Sequence, residues 1–315
     1  MPSIYYFCPD FPLPSAGTKR LYRHVHHLNQ AGFKAFIVHQ KQGFLLSWHG
    51  IRVPVLWMEN LPHLARDSVL VFPEVMPSLM QQTRDLPIPR IVIALNWALI
   101  YRNLPAGTNW KDFGISTAIT PSPFVKRFIE WTMGLDVTLI ENYVDTTRYA
   151  YQPEKKTNNI AYISRKDLSG EILRTVFERK QGSLRHYNWV RLGDLNEEDY
   201  ASQLVHSRIF LATSQEEGMP TSVLEAMSSG CIVIGYSGLG GSDFMRGDGP
   251  EQNCILIENG DYLALGRCLE RVADTLRTQD HPYDLLIGNA LQTANVFRSR
   301  ERELESLRRF FLSLL

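Results

Sequence analysis

Two glutamates, Glu217 and Glu225, are spaced so that both can reach one ligand. The apolar run Arg208–Thr213 just before them predicts a buried strand. Pro220 suits the first position of a following helix, and Gly230 suits its end. One carboxylate would therefore lie at the entrance of the helix, and the other on its polar face.

This arrangement favours a ligand that carries both hydroxyl groups and an anion. Open α/β sheets bind ligands beyond the carboxyl ends of their strands, and a helix N-terminus there attracts phosphate. Alternatively, Glu217 only ends a strand and Glu225 is a solvated helix residue, as surface glutamates usually are. A hydrolytic carboxylate pair is a rival chemical use, but neither glutamate has an apolar setting that would raise its pKa.

Two cations follow another predicted strand. Arg165 and Lys166 come directly after the apolar run Ile160–Ser164, where they suit a diphosphate. They could instead form surface ion pairs with Asp167 or Glu171. Further along, the loop at Gly193 follows a strand and offers a place for a nucleotide base.

Apolar strands alternate with amphipathic helices along most of the chain, which predicts parallel sheets covered by helices. The first strand, Ser3–Cys8, leads through a proline-rich loop to Gly17, where the backbone can approach a ligand closely. The polar segment 149–159 suits a linker. We therefore predict domains at 1–150 and 151–295, with a terminal helix at 296–315.

Composition excludes several classes of protein. The 33 basic and 33 acidic residues balance, so a nucleic-acid-binding role is disfavoured. The four cysteines lack metal-ligand spacing and suit buried, reduced thiols in the cytosol. No leader or membrane-spanning run is visible. His24 and His27 are one turn apart, yet no partner at ligand spacing supports a metal site. The aromatic segment 43–57 suits an edge strand better than an acceptor- or membrane-facing surface.

The segment Glu217–Gly230 resembles the E-x7-E signature of retaining, family 4-type glycosyltransferases with the GT-B fold. The agreement extends to a glycine, a proline and an LEAM run. Three weaker likenesses support it: Ala16-Gly17 resembles the N-terminal glycine loop, Thr138–Asp145 the I-x-N-G-V-D segment, and Ser237–Phe244 the second glycine loop. Asn96 stands where the family often has a histidine that touches the donor sugar.

The resemblance implies a GT-B architecture, in which two Rossmann-like α/β domains with parallel sheets face each other across a cleft. It implies catalytic roles for Glu217, Arg165 and Lys166. In the family, Glu225 would receive the ribose hydroxyls, Glu217 the sugar hydroxyls, and the two cations the departing diphosphate. The donor-binding residues that we predict are Glu225, Gly17, Gly218, Met219, Pro220, Thr221, Asn96 and Gly193.

The predicted function is that of a retaining, hexosyltransferase-type glycosyltransferase that needs no metal and no cofactor. Its partners would be a nucleotide-diphosphate sugar and the hydroxyl of a glycan, lipid or small molecule, as in polysaccharide biosynthesis. We expect a cytoplasmic protein with peripheral contact at the inner face of the membrane as one option. The alternatives are a non-catalytic GT-B module that binds nucleotide sugar or glycan, and a nucleotide-sugar epimerase of the same fold. The sequence leaves the oligomeric state open.

Overall fold

A computed structural model describes residues 2–61, 63–164, 168–180 and 182–314. These residues form two units. The first unit runs to Tyr143 and also includes the chain from Arg300 onward, and the second unit is Val144–Ser299. The predicted boundaries at 150 and 295 thus lie several residues from the observed ones.

The first unit is built on a seven-stranded parallel sheet with the order β3-β2-β1-β4-β5-β6-β7. Its strands are rich in Val, Ile, Tyr and Phe, and β4 is buried along its whole length, as parallel strands between helices require. The strands are β1 (Ser3–Phe7), β2 (Lys34–His39), β3 (Val55–Trp57), β4 (Val69–Pro73), β5 (Arg90–Ile93), β6 (Thr117–Thr120) and β7 (Asp136–Leu139).

Helices connect these strands. They are α1 (Ala16–Gln30), α2 (Pro77–Gln82), α3 (Trp97–Asn103) and α4 (Pro123–Met133). The run Pro121-Ser122-Pro123 predicts a helix that Ser122 caps and that ends at Gly134. Ser122 does cap α4, by accepting a hydrogen bond from the Val125 N–H at 3.2 Å. Gly134 ends α4 in the left-handed conformation, at φ 59°.

The second unit has a five-stranded parallel sheet with the order β12-β11-β10-β8-β9. Its strands are β8 (Thr157–Tyr162), β9 (Asn188–Arg191), β10 (Ser207–Ala212), β11 (Ile232–Gly235) and β12 (Ile255–Leu256). The helices between and after them are α5 (Ser169–Arg179), α6 (Glu197–His206), α7 (Thr221–Ser228), α8 (Tyr262–Thr278) and α9 (Asp284–Val296).

The structure confirms one ambiguous interpretation and corrects another. Segment 43–57 ends in β3, which is an edge strand of the first sheet, as we favoured. Segment 149–159, which we predicted to be a linker, belongs instead to the second unit. Tyr149 is only 2% exposed, and Lys156 donates to the carbonyls of Leu204 and Ser207, so polar composition misled the prediction.

The last helix, α10 (Arg300–Leu314), packs against α1 within the first unit. Its fully buried Glu303 accepts a hydrogen bond from Arg23 Nη2 at 2.7 Å, and Arg23 Nε lies 2.7 Å from the other carboxylate oxygen in an ion pair. The Nε2 atom of His27 lies 3.0 Å from the same carboxylate. Burial raises the pKa of Glu303, but the Arg23 charge and the His27 hydrogen bond outweigh it and leave this pKa below its ordinary value.

His24 lies in the same buried cluster and predicts acid sensitivity. Burial lowers the pKa of His24 to about 3, although Glu303 opposes this effect. Between pH 6.5 and 3, His24 binds a proton in the unfolded chain but not in the folded chain. The free energy of unfolding therefore has its full value above pH 6.5 and falls as the pH drops below it. We expect His24 alone to remove about 2 to 3 kcal/mol of unfolding free energy between pH 7 and pH 4.5.

Urea denaturation at pH 7 and pH 4.5 measures this effect. The drop in midpoint should be clearly smaller for His24→Gln than for the wild type. His63→Gln, which changes an exposed histidine of the same unit, should retain the wild-type drop. An equal drop in all three proteins would show that His24 does not carry the acid sensitivity.

Two further observations concern the environment of the chain. Within the described ranges, no helix is both long and apolar enough to cross a membrane. All four cysteines are free and buried, as predicted.

Candidate functional site

The strand order of the second sheet creates a crevice between β8 and β10. The connection from β8 leads to β9 on one side, whereas the chain then returns to β10 on the other side of β8. Such a reversal of strand order leaves a crevice beyond the carboxyl ends of the two strands, and open α/β sheets bind ligands there. Glu217 follows β10 at this place. Arg165 and Lys166 follow β8 but lie outside the described residues.

The backbone of Glu217 is fixed by the glycine loop that follows β11. The Glu217 N–H donates to the carbonyl of Gly238 at 2.8 Å. The Gly240 N–H in turn donates to the Glu217 carbonyl at 3.0 Å. These two bonds pair Glu217 with Leu239 as in a short parallel bridge. The weak second glycine motif therefore has a definite task, which is to position the loop that carries Glu217.

This glycine loop is close-packed and strained. Leu239 has a positive φ of 71°, which costs a residue with a side chain free energy and marks a constrained position. A Cβ atom on Gly240 would overlap the carbonyl oxygen of Gly218 and lie 2.5 Å from that of Glu217. Only glycine permits this approach between the two loops.

Helix α7 begins one residue later than predicted. Pro220 occupies the position before the helix, with ψ 80°, and Thr221 is the first helical residue. The apolar face is as predicted, since Val223, Leu224 and Met227 are buried. Gly218, Met219, Pro220 and Thr221 are buried as well, so their contribution to a ligand site would come mainly from the backbone.

Glu225 is half-buried on α7 and is held by two tyrosines. The hydroxyl of Tyr200 on α6 donates to Glu225 Oε2 at 3.0 Å. Tyr149 is hydrogen-bonded to the same carboxylate, and burial and the Glu225 charge raise the pKa of its hydroxyl well above the ordinary value. Glu225 is therefore not the solvated residue of the alternative interpretation. The sequence did not point to either tyrosine. Tyr149 lay in the segment that we predicted to be a linker.

Gly193 belongs to the loop that we predicted to bind the nucleotide base. It is buried in the turn between β9 and α6. The next residue, Asp194, is exposed and pairs with Arg191 at 3.1 Å. Gly193, Glu217 and Glu225 thus all lie on or near loops at the carboxyl edge of one sheet.

The two predicted site residues of the first unit have local structural tasks. Gly17 is the second residue of α1 rather than the end of the preceding loop, because the helix begins at Ala16. Asn96 caps α3 by accepting hydrogen bonds from the Ala98 and Leu99 N–H groups at 2.9 and 3.2 Å. Capping oxygens are common at helix starts, so a sugar contact for Asn96 stays a prediction.

A buried chain of polar groups also lies at the carboxyl edge of the first sheet. The His39 Nδ1 atom is 3.0 Å from Asp10 Oδ1, and its Nε2 atom is 2.8 Å from the Tyr22 hydroxyl. Burial lowers the pKa of His39 although Asp10 opposes this, which favours the neutral ring. Asp10 also accepts from the Lys41 N–H at 2.8 Å, so the chain joins the loops after β1 and β2. Among the described residues, no three potential metal ligands form a group.

Comparisons with known proteins show which families this chain resembles. Residues 169–275 match a family model described as Glycosyl transferases group 1. The chain is 24% identical over 222 residues to an alpha-1,6-glucosyltransferase of Actinobacillus pleuropneumoniae serotype 7 (strain AP76). That alignment covers 68% of this chain and 67% of the relative. The predicted resemblance to group 1 glycosyltransferases is confirmed.

Solved structures show the fold. A sucrose-phosphate synthase from Thermosynechococcus elongatus matches with a TM-score of 0.75 at 12% identity, covering 100% of this chain and 99% of the other. HepE of Anabaena, crystallised with UDP-glucose, matches with a TM-score of 0.73 at 14% identity and 99% coverage of both chains. The predicted GT-B fold class is confirmed.

Proposed function

We propose that this chain, a glycosyltransferase, transfers a sugar with retention of configuration from a nucleotide-diphosphate sugar to an acceptor hydroxyl. One observation carries the proposal. Glu217 and Glu225 lie at the entrance and on the face of one helix at the β8–β10 crevice, and each is fixed by its own set of hydrogen bonds. Such preorganisation suits a site that must recognise a polyhydroxylated ligand.

The roles follow from the chemistry of the groups. Carboxylates only accept hydrogen bonds, so Glu225 would bind the ribose diol and Glu217 hydroxyls of the donor sugar. The first N–H groups of α7 would face a phosphate. Arg165 and Lys166, outside the described residues, would complete the diphosphate site. We further propose that Gly17 and Asn96 contact the donor.

Catalysis would depend mainly on the leaving group. Negative charge develops on the diphosphate as the sugar becomes oxocarbenium-like, and fixed cations and N–H groups stabilise that charge most in the transition state. The acceptor oxygen would attack from the face that the diphosphate leaves, and a diphosphate oxygen would take its proton. This route needs no protein nucleophile and no metal, which is why we propose a metal-independent enzyme.

The names of the relatives support a proposal for the donor. Because HepE was crystallised with UDP-glucose and the curated relative is a glucosyltransferase, we propose a UDP-hexose as donor. A glycan is the proposed acceptor, with a lipid or small molecule as alternatives, which places the enzyme in polysaccharide biosynthesis. Four free thiols favour a reducing, cytoplasmic location.

A non-catalytic module that binds nucleotide sugar is the second candidate. The departure at Asn96 favours it, because an asparagine whose oxygen caps α3 stands where the family often has a histidine that touches the donor sugar. To separate the candidates, the protein is incubated with UDP-, GDP- and ADP-hexoses, and nucleotide release is followed. Release that rises with an added glycan supports the enzyme, and donor binding without release supports the module. Absence of binding would reject both.

We also propose that the first unit contacts a membrane through α3 and α4. Trp131 at the end of α4 is 79% exposed and stacks edge-on against Phe128, which also contacts Tyr101. Arg102 and Arg127 are exposed on the same two helices. Aromatic rings beside cations are typical of surfaces that rest on anionic lipid.

Vesicle sedimentation tests this surface. We expect binding to vesicles that contain phosphatidylglycerol and little binding to pure phosphatidylcholine. Trp131→Ala should weaken the binding about tenfold, since the ring supplies much of the apolar contact. Leu285→Ala, which removes a 75% exposed apolar side chain of the second unit, is the matched control and should have no effect. Equal binding by wild type and Trp131→Ala would contradict the proposal.

A further inference from the structure

We propose that Tyr149 and Tyr200 are positioning residues, which hold the Glu225 carboxylate toward the ribose diol of the donor and so make the enzyme select ribonucleotides over deoxyribonucleotides. This inference rests on the proposed function, because it assumes that Glu225 receives the ribose. It assigns a task to the hydroxyl groups of the buried Tyr149 and the half-buried Tyr200, which the transfer chemistry itself does not use.

Three separate segments converge on this carboxylate. Glu225 is on α7, Tyr200 is on α6, and Tyr149 follows the turn that begins at Asp145. The Tyr200 hydroxyl donates to Glu225 Oε2 at 3.0 Å, and the Tyr149 hydroxyl is the second partner. The two rings meet edge to face, with centroids 6.1 Å apart and an interplanar angle of 88°. Each ring therefore limits the movement of the other.

The backbone behind each tyrosine is also fixed. The Tyr149 N–H donates to the Asp145 carbonyl at 3.0 Å. The Tyr200 N–H donates to the carbonyl of Asn196, the residue that caps α6. Arg148 and Glu197 form an ion pair at 3.6 Å, which joins the turn to the start of α6. These contacts fix the backbone that carries the two tyrosines, and so they limit where the two hydroxyl groups can lie.

Both hydroxyl groups act as neutral donors. Burial first, and then the Glu225 charge, raise the pKa of Tyr149 and of Tyr200 well above the ordinary value. A carboxylate offers about four acceptor positions, so one carboxylate can accept hydrogen bonds from tyrosine hydroxyl groups and from a ligand together. A glutamate without these bonds would sample several rotamers, and ordering it would weaken ligand binding.

The ribose diol suits this carboxylate for two reasons. Its two adjacent hydroxyl groups can donate to one carboxylate, and a deoxyribose would leave the oriented oxygen atoms without that partner. The loop at Gly193, proposed for the base, leads directly into the helix that carries Tyr200. The base and the ribose would therefore bind at neighbouring places, the base at the Gly193 loop and the ribose at Glu225.

Titration calorimetry on the full chain tests the inference with UDP, GDP and ADP and their 2′,3′-dideoxy forms. For the nucleotide that binds the wild type, Tyr200→Phe and Tyr149→Phe should each raise the Kd of the ribose form about 5- to 20-fold. Their Kd for the dideoxy form should equal that of the wild type. In turnover, KM for the donor should rise while kcat stays within about twofold.

Tyr187→Phe is the matched control. Tyr187 directly precedes β9 and so lies at the amino end of that strand, whereas the proposed site lies beyond the carboxyl ends. It should leave both Kd values unchanged. Two results would overturn the inference while leaving the proposed function intact. One is a wild-type Kd for the ribose form in both Tyr149→Phe and Tyr200→Phe, and the other is an equal rise in Kd for the ribose and dideoxy forms. A wild-type protein that binds none of the three nucleotides would overturn the proposed function, and the inference with it.

Discussion

Glu217→Gln should lower the rate of sugar transfer by about 100- to 1000-fold, the loss that follows removal of one preorganised electrostatic contact in an active site. Glutamine keeps the shape of the side chain but loses the negative charge beside the sugar, where positive charge develops. The backbone bonds to Gly238 and Gly240 do not involve the side chain, so the loop should keep its position. Nucleotide release from the donor at saturating acceptor measures kcat.

Glu216→Gln is the matched control for this result. Glu216 is adjacent in the chain and is also half-buried, yet it lies outside the pair that we propose to bind the donor. It should change kcat by less than about threefold. Thermal melting should show that both variants unfold near the wild-type temperature. Equal losses in both variants would indicate damage to the loop and would remove Glu217 from its proposed role.

Gly240→Ala should weaken donor binding by at least about 100-fold, although Gly240 has no side chain to contribute. The new methyl group would overlap the Gly218 carbonyl oxygen and lie 2.5 Å from that of Glu217. Both are backbone atoms, so relief requires the loop itself to move. A displacement near 1 Å is enough to cost about 100-fold in a preorganised site.

The control for Gly240→Ala is Gly288→Ala on α9, where a Cβ atom would have no neighbour within 4 Å. Alanine favours helix more than glycine by about 1 kcal/mol, so this variant should melt at or above the wild-type temperature and bind the donor normally. Donor affinity and melting temperature are measured for both variants. Normal donor affinity in Gly240→Ala would show that the glycine loop does not position Glu217.

Local sequence patterns predicted most of the strands and helices. Apolar β-branched runs predicted the strands because a parallel sheet buries both faces. Ser122 and Gly134 predicted the ends of α4, since capping depends on the residues at the helix ends themselves. The run from Arg208 to Gly230 predicted its own strand, loop and helix, and the resemblance of its Glu217–Gly230 part predicted a glycosyltransferase.

Other features depend on residues far apart in the chain. Tyr149 was assigned to a linker because its neighbours are polar, yet its hydroxyl is buried against Glu225, 76 positions later by their residue numbers. Asn96 caps α3, a role that we did not predict, and its donor contact stays a proposal. Composition cannot report such pairings, because they arise only when the sheet brings distant loops together.

The loop of Glu217 and the helix after it show most clearly which features depend on local sequence and which depend on the tertiary structure. By itself the sequence determined that two carboxylates accompany one helix after a buried strand, because spacing and periodicity are local properties. Only the tertiary structure decided how they are held: the backbone of Glu217 by the glycine loop after β11, and the carboxylate of Glu225 by two tyrosines. These contacts join segments that the chain keeps apart and that meet only when the parallel strands align their carboxyl ends at one edge.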